Sequence, residues 1–167
     1  LPSALTAALA LRYRVRREIG RGGHATVLLA RDERHERDLA IKVIRPEACE
    51  GGQRQRFLQE IGIVARLHHP YIVPLVESGE AGGVPYYVMP YVAGETLRQR
   101  LDREGPLPLD EALRIAGDVA EAIDYAHRNG VVHRDIKPEN VLLSGGHALV
   151  ADFGVALALD AMGGERL

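Results

Sequence analysis

The spacing of apolar residues changes near position 89, and this change limits the folds open to the chain. Before it lie five short runs rich in β-branched and aromatic residues, at 13–19, 25–30, 39–44, 73–77 and 85–89. Runs of this kind, separated by polar or glycine-rich turns, predict β-strands. After position 89, apolar residues recur at steps of three and four, which predicts helices. The sequence therefore predicts an α+β fold in which a strand-rich part precedes a mainly helical one.

The clearest helix covers residues 109–128, and Asn129–Gly130 predicts its end. Its apolar stripe consists of Leu109, Ala112, Leu113, Ala116, Val119, Ala120, Ile123 and His127. Because the chain ends at Leu167, we expect this stripe to stay uncovered and to promote association. Shorter elements are also predicted, namely helices at 53–67 and 97–101 and a hairpin formed by 141–143 and 148–151.

Length and charge exclude several classes of protein. The 167 residues allow one domain or two small lobes, and the net charge of −2 offers no basic field for nucleic acid. No apolar run reaches the roughly 18 residues that a membrane span needs. The single Cys49 cannot form a disulfide within the chain, which favours a reducing, cytoplasmic compartment. The apolar run at 5–11, followed by arginines, leaves a partial signal sequence as an alternative.

Lysine is rare in this chain, so its two positions are informative. Of 21 Lys and Arg residues, only Lys42 and Lys137 are lysines. An ammonium is a compact point charge and a guanidinium a planar fork, so a site built around one phosphate oxygen can require lysine. Strand alternation places Lys42 and Ala40 on one face and Ile41 on the other. A strand lysine that only reaches solvent is the alternative for Lys42.

A carboxylate lies within the apolar stripe of the helix predicted over 53–67. This stripe has steps of three, four and three and consists of Phe57, Glu60, Val64 and Leu67. A charged group on such a face needs a cation, and an ion pair between Glu60 and Lys42 would explain both residues. The alternative is that Glu60 lies at the edge of the stripe and is solvated.

A glycine-rich turn separates the first two predicted strands. Glycines at 20, 22 and 23 would let backbone N–H groups approach phosphate oxygens, although a plain hairpin turn is equally consistent with them. No Gly-Lys dipeptide occurs, which excludes a Walker A loop. The dinucleotide fingerprint is also excluded, because it needs a helix where this sequence predicts a strand.

A segment rich in charged residues follows the long helix. It reads His133-Arg134-Asp135-Ile136-Lys137-Pro138-Glu139-Asn140, and Asp152-Phe153-Gly154 comes twelve residues after it. An ordinary solvated turn is the alternative, but the second of the two lysines also falls here.

Taken in order, these motifs resemble the protein kinase family, and specifically its bacterial serine/threonine members. The matching pieces are Gly20-x-Gly22-x-x-Ala25-x-Val27, Ala40-Ile41-Lys42, Glu60, the loop 133–140 and Asp152-Phe153-Gly154. The ordered set is far more specific than any one piece. The resemblance implies a protein-kinase-like α+β fold. A five-stranded antiparallel N-lobe with one helix would precede the first, mainly helical part of a C-lobe.

The resemblance also implies a division of the chain and its relation to a longer protein. Residues 1–12 would form an N-terminal extension, 13–89 the N-lobe, 90–94 the hinge, and 95–167 a partial C-lobe ending in the activation segment. The family's Ala-Pro-Glu motif and later helices do not follow, and Leu1 is not a methionine. We therefore expect the chain to be a fragment of a kinase whose remaining parts, including any membrane anchor, lie elsewhere.

By the same resemblance the chain would use ATP and Mg²⁺ and act on a protein with a Ser or Thr acceptor. Lys42 would contact the α- and β-phosphates, and Glu60 would orient it. Asp135 would accept the proton of the acceptor hydroxyl, and Lys137 would reach the γ-phosphate. With Asp135 in the role of base, His133 is expected to be a packing and hydrogen-bonding residue. The presence of Lys137 favours Ser or Thr over Tyr, because tyrosine-specific members usually lack it.

The resemblance assigns the metal and nucleotide contacts as well. Asn140 and Asp152 would hold magnesium and line one cleft with the catalytic groups. The nucleotide would lie between the glycine-rich turn, the strand before Lys42, the hinge and a residue of the later hairpin. The residues expected to touch it are Ile19, Gly20, Arg21, Gly22, Gly23, His24, Ala25, Thr26, Val27, Ala40, Lys42, Met89, Pro90, Val92 and Leu142.

Two positions depart from the family pattern. Ala25 stands where the family has a third glycine, which would cost roughly 1 kcal/mol if that position required a positive φ. Pro90 occupies the first hinge position, and it keeps the carbonyl that adenine needs as an acceptor. The leading hypothesis is a serine/threonine kinase. The alternatives are a fragment that binds nucleotide or a partner without phosphotransfer, and a remnant with no stable nucleotide site.

Overall fold

The strand-rich part of the sequence forms an antiparallel sheet of five strands. They are β1 (Tyr13–Arg21), β2 (Ala25–Asp32), β3 (Arg37–Ile44), β4 (Glu77–Ala81) and β5 (Val84–Pro90). The spatial order is β1-β2-β3-β5-β4. The computed structural model describes residues 3–23, 25–45 and 61–153. These fall into two compact units, one comprising the described residues up to 65 with Leu75–Tyr91, the other Arg66–Pro74 with the described residues from Val92 onward.

Four of the five strands lie where the sequence predicts them, and the fourth is displaced. It was expected at 73–77, but β4 begins only at Glu77. Pro74 has no N–H to give to a ladder, so a strand cannot pair regularly through this position. Within the first unit, the Val76 N–H donates to the Val88 carbonyl at 2.8 Å, which brings the chain into register just before β4.

An N-terminal helix, α1 (Ser3–Ala10), covers one face of the sheet, and the sequence analysis did not predict it. Leu5 and Leu9 are 0% and 1% exposed. They share a core with Tyr13, Leu28, Ala30, Leu39, Ile41, Val43, Val84 and Val88. Just after the helix, Arg12 pairs with Glu77 of β4. Leu5 and Leu9 of the apolar run at 5–11 are therefore part of the folded core of the first unit.

The helix predicted over 53–67 is described only from residue 61 onward. Residues 61–64 are helical, and the Ala65 N–H donates to the Ile61 carbonyl at 2.9 Å. The helix thus ends about three residues before its predicted end. Ile61 and Leu67 are both almost fully buried.

The second unit combines a three-stranded sheet with two helices. Its strands are β6 (Glu95–Thr96), β7 (Val141–Ser144) and β8 (His147–Val150), and its helices are α2 (Leu97–Glu104) and α3 (Leu109–Arg128). The bounds of α3 are those predicted. Thr96 caps α2, since its side chain accepts from the Gln99 N–H while the Gln99 side chain accepts from the Thr96 N–H.

Helix α3 has two different faces, and the sequence analysis found only one of them. Leu109 and Leu113 from the predicted stripe are 75% and 64% exposed, whereas Val119 of the same stripe is partly buried in the core of this unit. The buried residues of the helix are Ile115, Asp118, Ala122 and Ala126. Ile115 packs with Val141 of β7 and Ala148 of β8. Helix α3 therefore packs against the hairpin of β7 and β8, which leads to Asp152.

Gly94 lies so close to β7 that no other residue fits. A Cβ built at this position would clash with the carbonyl oxygen of Leu143. We expect Gly94→Ala to lower the free energy of unfolding by about 1–3 kcal/mol in urea denaturation, because the strand must move. In Gly117→Ala, the new methyl group meets nothing within 4 Å inside α3. That control should gain up to about 1 kcal/mol. Equal stability of the two variants would contradict the packing described here.

Candidate active site

Lys42 lies in the middle of the five-stranded sheet. It is opposite Val27 of β2 and Tyr87 of β5. Its Nζ lies 5.9 Å from the centroid of the Tyr87 ring, a distance at which a cation is attracted to the face of an aromatic ring. Residues directly opposite in antiparallel strands point to the same face, so these three side chains share one face of the sheet.

The same face carries three of the residues predicted to surround the purine. Ala40 is two positions from Lys42, and Met89 lies opposite Ala40. Val27 completes the group, because it pairs with Lys42. Ile41 is fully buried in the core on the other face, as strand alternation predicts. The first unit thus assembles an apolar surface with one ammonium group on the sheet face opposite α1.

The glycine-rich turn joins β1 to β2 next to this surface. Gly20 lies opposite Val27, and the Gly22 N–H donates to the Ala25 carbonyl at 2.9 Å, which closes the turn. Ala25 lies in β2 and is not among the residues with positive φ. The cost considered for the missing third glycine therefore does not arise.

Two predicted site residues, His24 and Glu60, lie outside the described residues, and so does the predicted pair of Glu60 with Lys42. The remaining nucleotide contacts predicted in the first unit lie in its strands and the turn. They are Ile19, Gly20, Arg21, Gly22, Gly23, Ala25, Thr26, Val27, Ala40, Lys42, Met89 and Pro90. The second unit holds Val92 and Leu142, of which Leu142 pairs with Thr96 and Leu149 in the small sheet.

The second unit brings the charged groups of the loop 133–140 together. Oδ2 of Asp135 lies 2.6 Å from Nζ of Lys137 and accepts a hydrogen bond from Nδ2 of Asn140 at 3.1 Å. The same amide donates to the backbone carbonyl of Asp135 at 2.8 Å. In the described part of the chain, Oδ1 of Asp135 accepts no hydrogen bond. One carboxylate oxygen is thus fixed and the other is available.

Asn140 and Asp152 are brought close by a backbone hydrogen bond. The Ala151 N–H donates to the Asn140 carbonyl at 2.9 Å, so the residue before Asp152 is tied directly to Asn140. Asn140 is only 8% exposed, and its amide nitrogen faces the two Asp135 acceptors. Among the described residues this leaves the Asn140 amide oxygen as a candidate metal ligand, and the Asp152 carboxylate is a second candidate.

This donor set suits magnesium. Mg²⁺ prefers hard oxygen ligands and is usually held by one or two protein groups together with phosphates and water. Asn140 and Asp152 supply two such oxygens. Among the residues of the described ranges, no three His, Cys, Asp or Glu side chains are clustered closely enough to hold a metal ion alone. Asn140 and Asp152 are thus two candidate ligands of an ion whose other ligands would be phosphate and water oxygens.

Two residues of this region have a backbone conformation that is uncommon outside glycine. Arg134 has a φ of 67° and Asp152 a φ of 65°. A non-glycine residue in the left-handed region is held there by its surroundings, and such residues cluster at functional sites. Here one of them directly precedes Asp135 and the other is a candidate metal ligand.

His133 is the buried support of the loop. It is 2% exposed, and its Nδ1 accepts the Asp135 N–H at 3.2 Å. Its Nε2 therefore carries the proton and donates to the Ala151 carbonyl at 2.8 Å. The ring also packs edge-on against Phe153, with centroids 4.6 Å apart. Both ring nitrogens are occupied by backbone groups, which agrees with the predicted packing role and leaves Asp135 as the base candidate.

The burial of His133 makes stability depend on pH. Desolvation lowers the pKa of His133 below its ordinary value, so the folded chain binds a proton less readily than the unfolded chain. As the pH falls below about 6.5, the unfolded state gains the proton, and the free energy of unfolding should fall by up to about 1.4 kcal/mol per pH unit from this group. Urea denaturation between pH 7.5 and 5.5 measures this slope.

The matched variants for this experiment are two histidine substitutions. His133→Gln should flatten the dependence of unfolding free energy on pH, whereas His127→Gln, at an exposed position of α3, should leave the slope unchanged. A slope that is the same in wild type and His133→Gln would show that His133 does not cause it.

Asp118 contributes to this unit, and the sequence analysis missed it. It is 7% exposed on the buried face of α3, and its Oδ2 accepts the Ala148 N–H of β8 at 2.9 Å. It thereby fixes the strand that leads to Asp152. The sequence does contain a signal for this role. Asp118 lies three residues after Ile115 and four before Ala122, so on the predicted helix it shares a face with two apolar residues.

The comparisons of this chain with known proteins point to one family. The family model of the protein kinase domain matches residues 13–163, and the chain belongs to this family. It is 42% identical over 154 residues to the serine/threonine-protein kinase PknB of Mycobacterium leprae and 43% identical over 150 residues to PrkC of Bacillus subtilis. Each alignment covers 89% of this chain, but only 25% and 23% of the relatives. The chain thus spans about a quarter of their length.

Solved structures give the same result for the fold. One crystal structure of the PknI kinase domain of Mycobacterium tuberculosis is 36% identical, with a TM-score of 0.78 over 92% of this chain and 65% of that one. A second crystal structure of the same domain is also 36% identical, with a TM-score of 0.76 over 92% of this chain and 67% of the other. The predicted protein-kinase fold and the predicted kinship with bacterial serine/threonine kinases are confirmed.

Within the described part of the chain, no helix has the length and hydropathy that crossing a bilayer requires.

Proposed function

We propose that the chain carries the nucleotide-binding and catalytic-loop parts of a serine/threonine protein kinase, which transfers the γ-phosphoryl group of ATP to a protein hydroxyl. The observation that carries this proposal is the state of Asp135. One of its carboxylate oxygens is held by Lys137 and Asn140, and the other accepts no hydrogen bond from the residues that the structure describes, so that it can accept one from a hydroxyl donor. The named relatives, which are serine/threonine kinases, support the class of acceptor.

In this proposal Asp135 orients and deprotonates the acceptor. Its Oδ1 accepts the hydrogen of the Ser or Thr hydroxyl and takes the proton as the oxygen bonds to the γ-phosphorus. The bond from the γ-phosphorus to the bridging oxygen breaks, and ADP leaves. Because Asn140 fixes Oδ2 of the same carboxylate, the carboxylate is positioned before the substrate arrives.

Two lysines supply positive charge in different places. Nζ of Lys137 lies 2.6 Å from Oδ2 of Asp135, and from there it would stabilise charge on the γ-phosphoryl group. Lys42, on the same sheet face as Val27 and Ala40, would bind the α- and β-phosphates. Glu60 is proposed to orient Lys42.

Asn140 and Asp152 are proposed to bind magnesium through their side-chain oxygens. The bound ion would neutralise charge on the phosphates. The protein's part is to keep both ligands in place. The Ala151 N–H fixes the spacing between the two residues through the Asn140 carbonyl, and His133 holds the Ala151 carbonyl. The adenine is proposed to contact Val27, Ala40, Met89, Pro90, Val92 and Leu142, with the turn 19–26 over the phosphates.

The test is phosphoryl transfer by the full chain from γ-labelled ATP with Mg²⁺. Three peptide mixtures that are degenerate around one fixed acceptor, Ser, Thr or Tyr, serve as substrates. We expect label on the Ser and Thr mixtures and none on the Tyr mixture, with loss of labelling in Lys42→Ala. Labelling of the Tyr mixture alone would contradict the proposed acceptor class. Mg²⁺-dependent ATP binding without transfer to any mixture would leave a nucleotide-binding protein and contradict the proposed transfer.

A further inference from the structure

Strand β8 ends two residues before Asp152, and the strand is held from three directions. On one side it pairs with β7, where Val141 lies opposite Val150. On the other side the Val150 N–H donates to the Tyr71 carbonyl at 2.8 Å, and the Val73 N–H donates to the Val150 carbonyl at 2.9 Å. The third direction is α3, through the hydrogen bond from Ala148 to Asp118. The end of β8 nearest Asp152 is thus anchored by backbone hydrogen bonds.

The other end of β8 is anchored by side chains. The ring of Tyr71 stacks on the imidazole of His147, with centroids 5.4 Å apart and planes at 30°. Nδ1 of His147 lies 3.4 Å from Oδ2 of Asp118. The negative charge of Asp118 also raises the pKa of the Tyr71 hydroxyl above its ordinary value. Tyr71 therefore contacts both ends of a four-residue strand, one with its carbonyl and the other with its ring.

The Tyr71 ring is itself supported by further aromatic groups. His69 packs edge-on against it with centroids 5.6 Å apart, and His69 in turn lies 5.0 Å from the ring of Tyr125 on α3. The Tyr125 hydroxyl accepts the His68 N–H at 3.3 Å. Four rings, from Tyr125 through His69 and Tyr71 to His147, thus connect helix α3 to β8. Stacked rings of this kind contribute energy beyond their buried area and favour one relative orientation.

We propose that Tyr71 is a positioning residue for Asp152, acting through β8 as the centre of a clamp formed with His147 and Asp118. This inference rests on the proposed function, in which Asp152 binds magnesium. Asp152 keeps a φ of 65°, which a free chain would rarely adopt, so its flanking strand must be held firmly. Loss of the stacked ring would let β8 shift, and the metal ligand would lose its preset position.

The test measures the Mg²⁺ concentration that half-saturates binding of a fluorescent ATP analogue to the full chain, well below its melting temperature. Tyr71→Leu removes the ring but keeps an apolar side chain, and it should raise that concentration about tenfold. Tyr71→Phe keeps the stacking and should stay within about twofold of wild type. Hydrogen exchange of the amides at 148–151, without nucleotide, should be faster in Tyr71→Leu only.

Controls separate positioning from stability. Tyr86→Leu makes the same change at a half-buried tyrosine of the first unit, outside the clamp, and should lower the melting temperature without changing the Mg²⁺ requirement. If Tyr71→Leu fails to fold, His147→Ala removes the other half of the stack at an exposed position and should raise the requirement severalfold. A lower melting temperature with an unchanged Mg²⁺ requirement and unchanged exchange would overturn the proposal.

One further variant tests the proposed metal site separately from the role of Tyr71. Asp152→Asn should abolish Mg²⁺-dependent binding. If it does and the clamp variants have no effect, the role of Tyr71 is wrong and the proposed function stands. If Asp152→Asn binds Mg²⁺ as wild type does, the metal site of the proposed function is wrong and the inference about Tyr71 falls with it.

Discussion

Replacing Asp135 by asparagine is expected to lower the rate of phosphoryl transfer about 10²- to 10⁴-fold while leaving Mg²⁺-dependent ATP binding within about twofold of wild type. The substitution keeps the shape of the side chain but removes the group that can accept a proton. It also removes the charge that holds Lys137 at 2.6 Å. Initial rates with the Ser and Thr peptide mixtures, and binding of a fluorescent nucleotide to the same samples, measure both effects.

The control for this variant is Asp124→Asn on α3. Asp124 is a largely exposed aspartate paired with Arg128, and its loss should leave the transfer rate unchanged. If Asp135→Asn retained more than about a tenth of the wild-type rate, general-base catalysis by Asp135 would be wrong, because such catalysis contributes at least about a hundredfold.

The second large effect concerns stability of the first unit. Leu9→Ala is expected to lower the free energy of unfolding by about 2–5 kcal/mol, because Leu9 is 1% exposed in the core between α1 and the sheet. Leu11→Ala deletes the same atoms from a side chain that is 89% exposed, and it should change stability by less than about 0.5 kcal/mol. Urea denaturation of the two variants beside wild type provides the comparison.

The pair of leucine variants tests whether α1 belongs to the folded unit. If Leu9→Ala and Leu11→Ala had equal stabilities, the helix would not be packed on the sheet in solution. Such a result would leave the active-site assignments untouched, since none of them lies on α1.

The sequence predicted the elements whose apolar pattern is long or regular. Helix α3 was placed with its correct bounds because three- and four-residue steps persist over twenty residues. Helix α1 was missed for a physical reason. Eight residues form a marginal helix in isolation, and this one depends on burying Leu5 and Leu9 against a sheet formed by later residues. A local pattern does not contain that contact.

The buried face of α3 shows a second limit. The residues buried on this face include Asp118. The free-energy cost of burying its carboxylate is offset by a backbone N–H and an imidazole from β8. A pattern that treats charged residues as exposed assigns Asp118 to solvent. The partner that reverses this assignment lies thirty residues later in the chain, so only the fold reveals it.

At the candidate site, the sequence predicted which residues take part, but not their backbone conformations or their hydrogen bonds. The order of motifs gave the loop 133–140 and Asp152, and the family was confirmed. The left-handed conformations of Arg134 and Asp152 have no sequence signal, because neither residue is glycine. They arise from tertiary hydrogen bonds such as those of His133 with Ala151 and Asp135. The pair of Lys42 with Glu60 stays a prediction.

The most direct test of the account is where magnesium binds in a crystal structure of the full chain with a non-hydrolysable ATP analogue. We predict an ion with the side-chain oxygens of Asn140 and Asp152 as ligands, roughly 2.0–2.1 Å from each, and phosphate oxygens completing its shell. An ion bound to the phosphates with neither residue as a ligand would contradict the site proposed here.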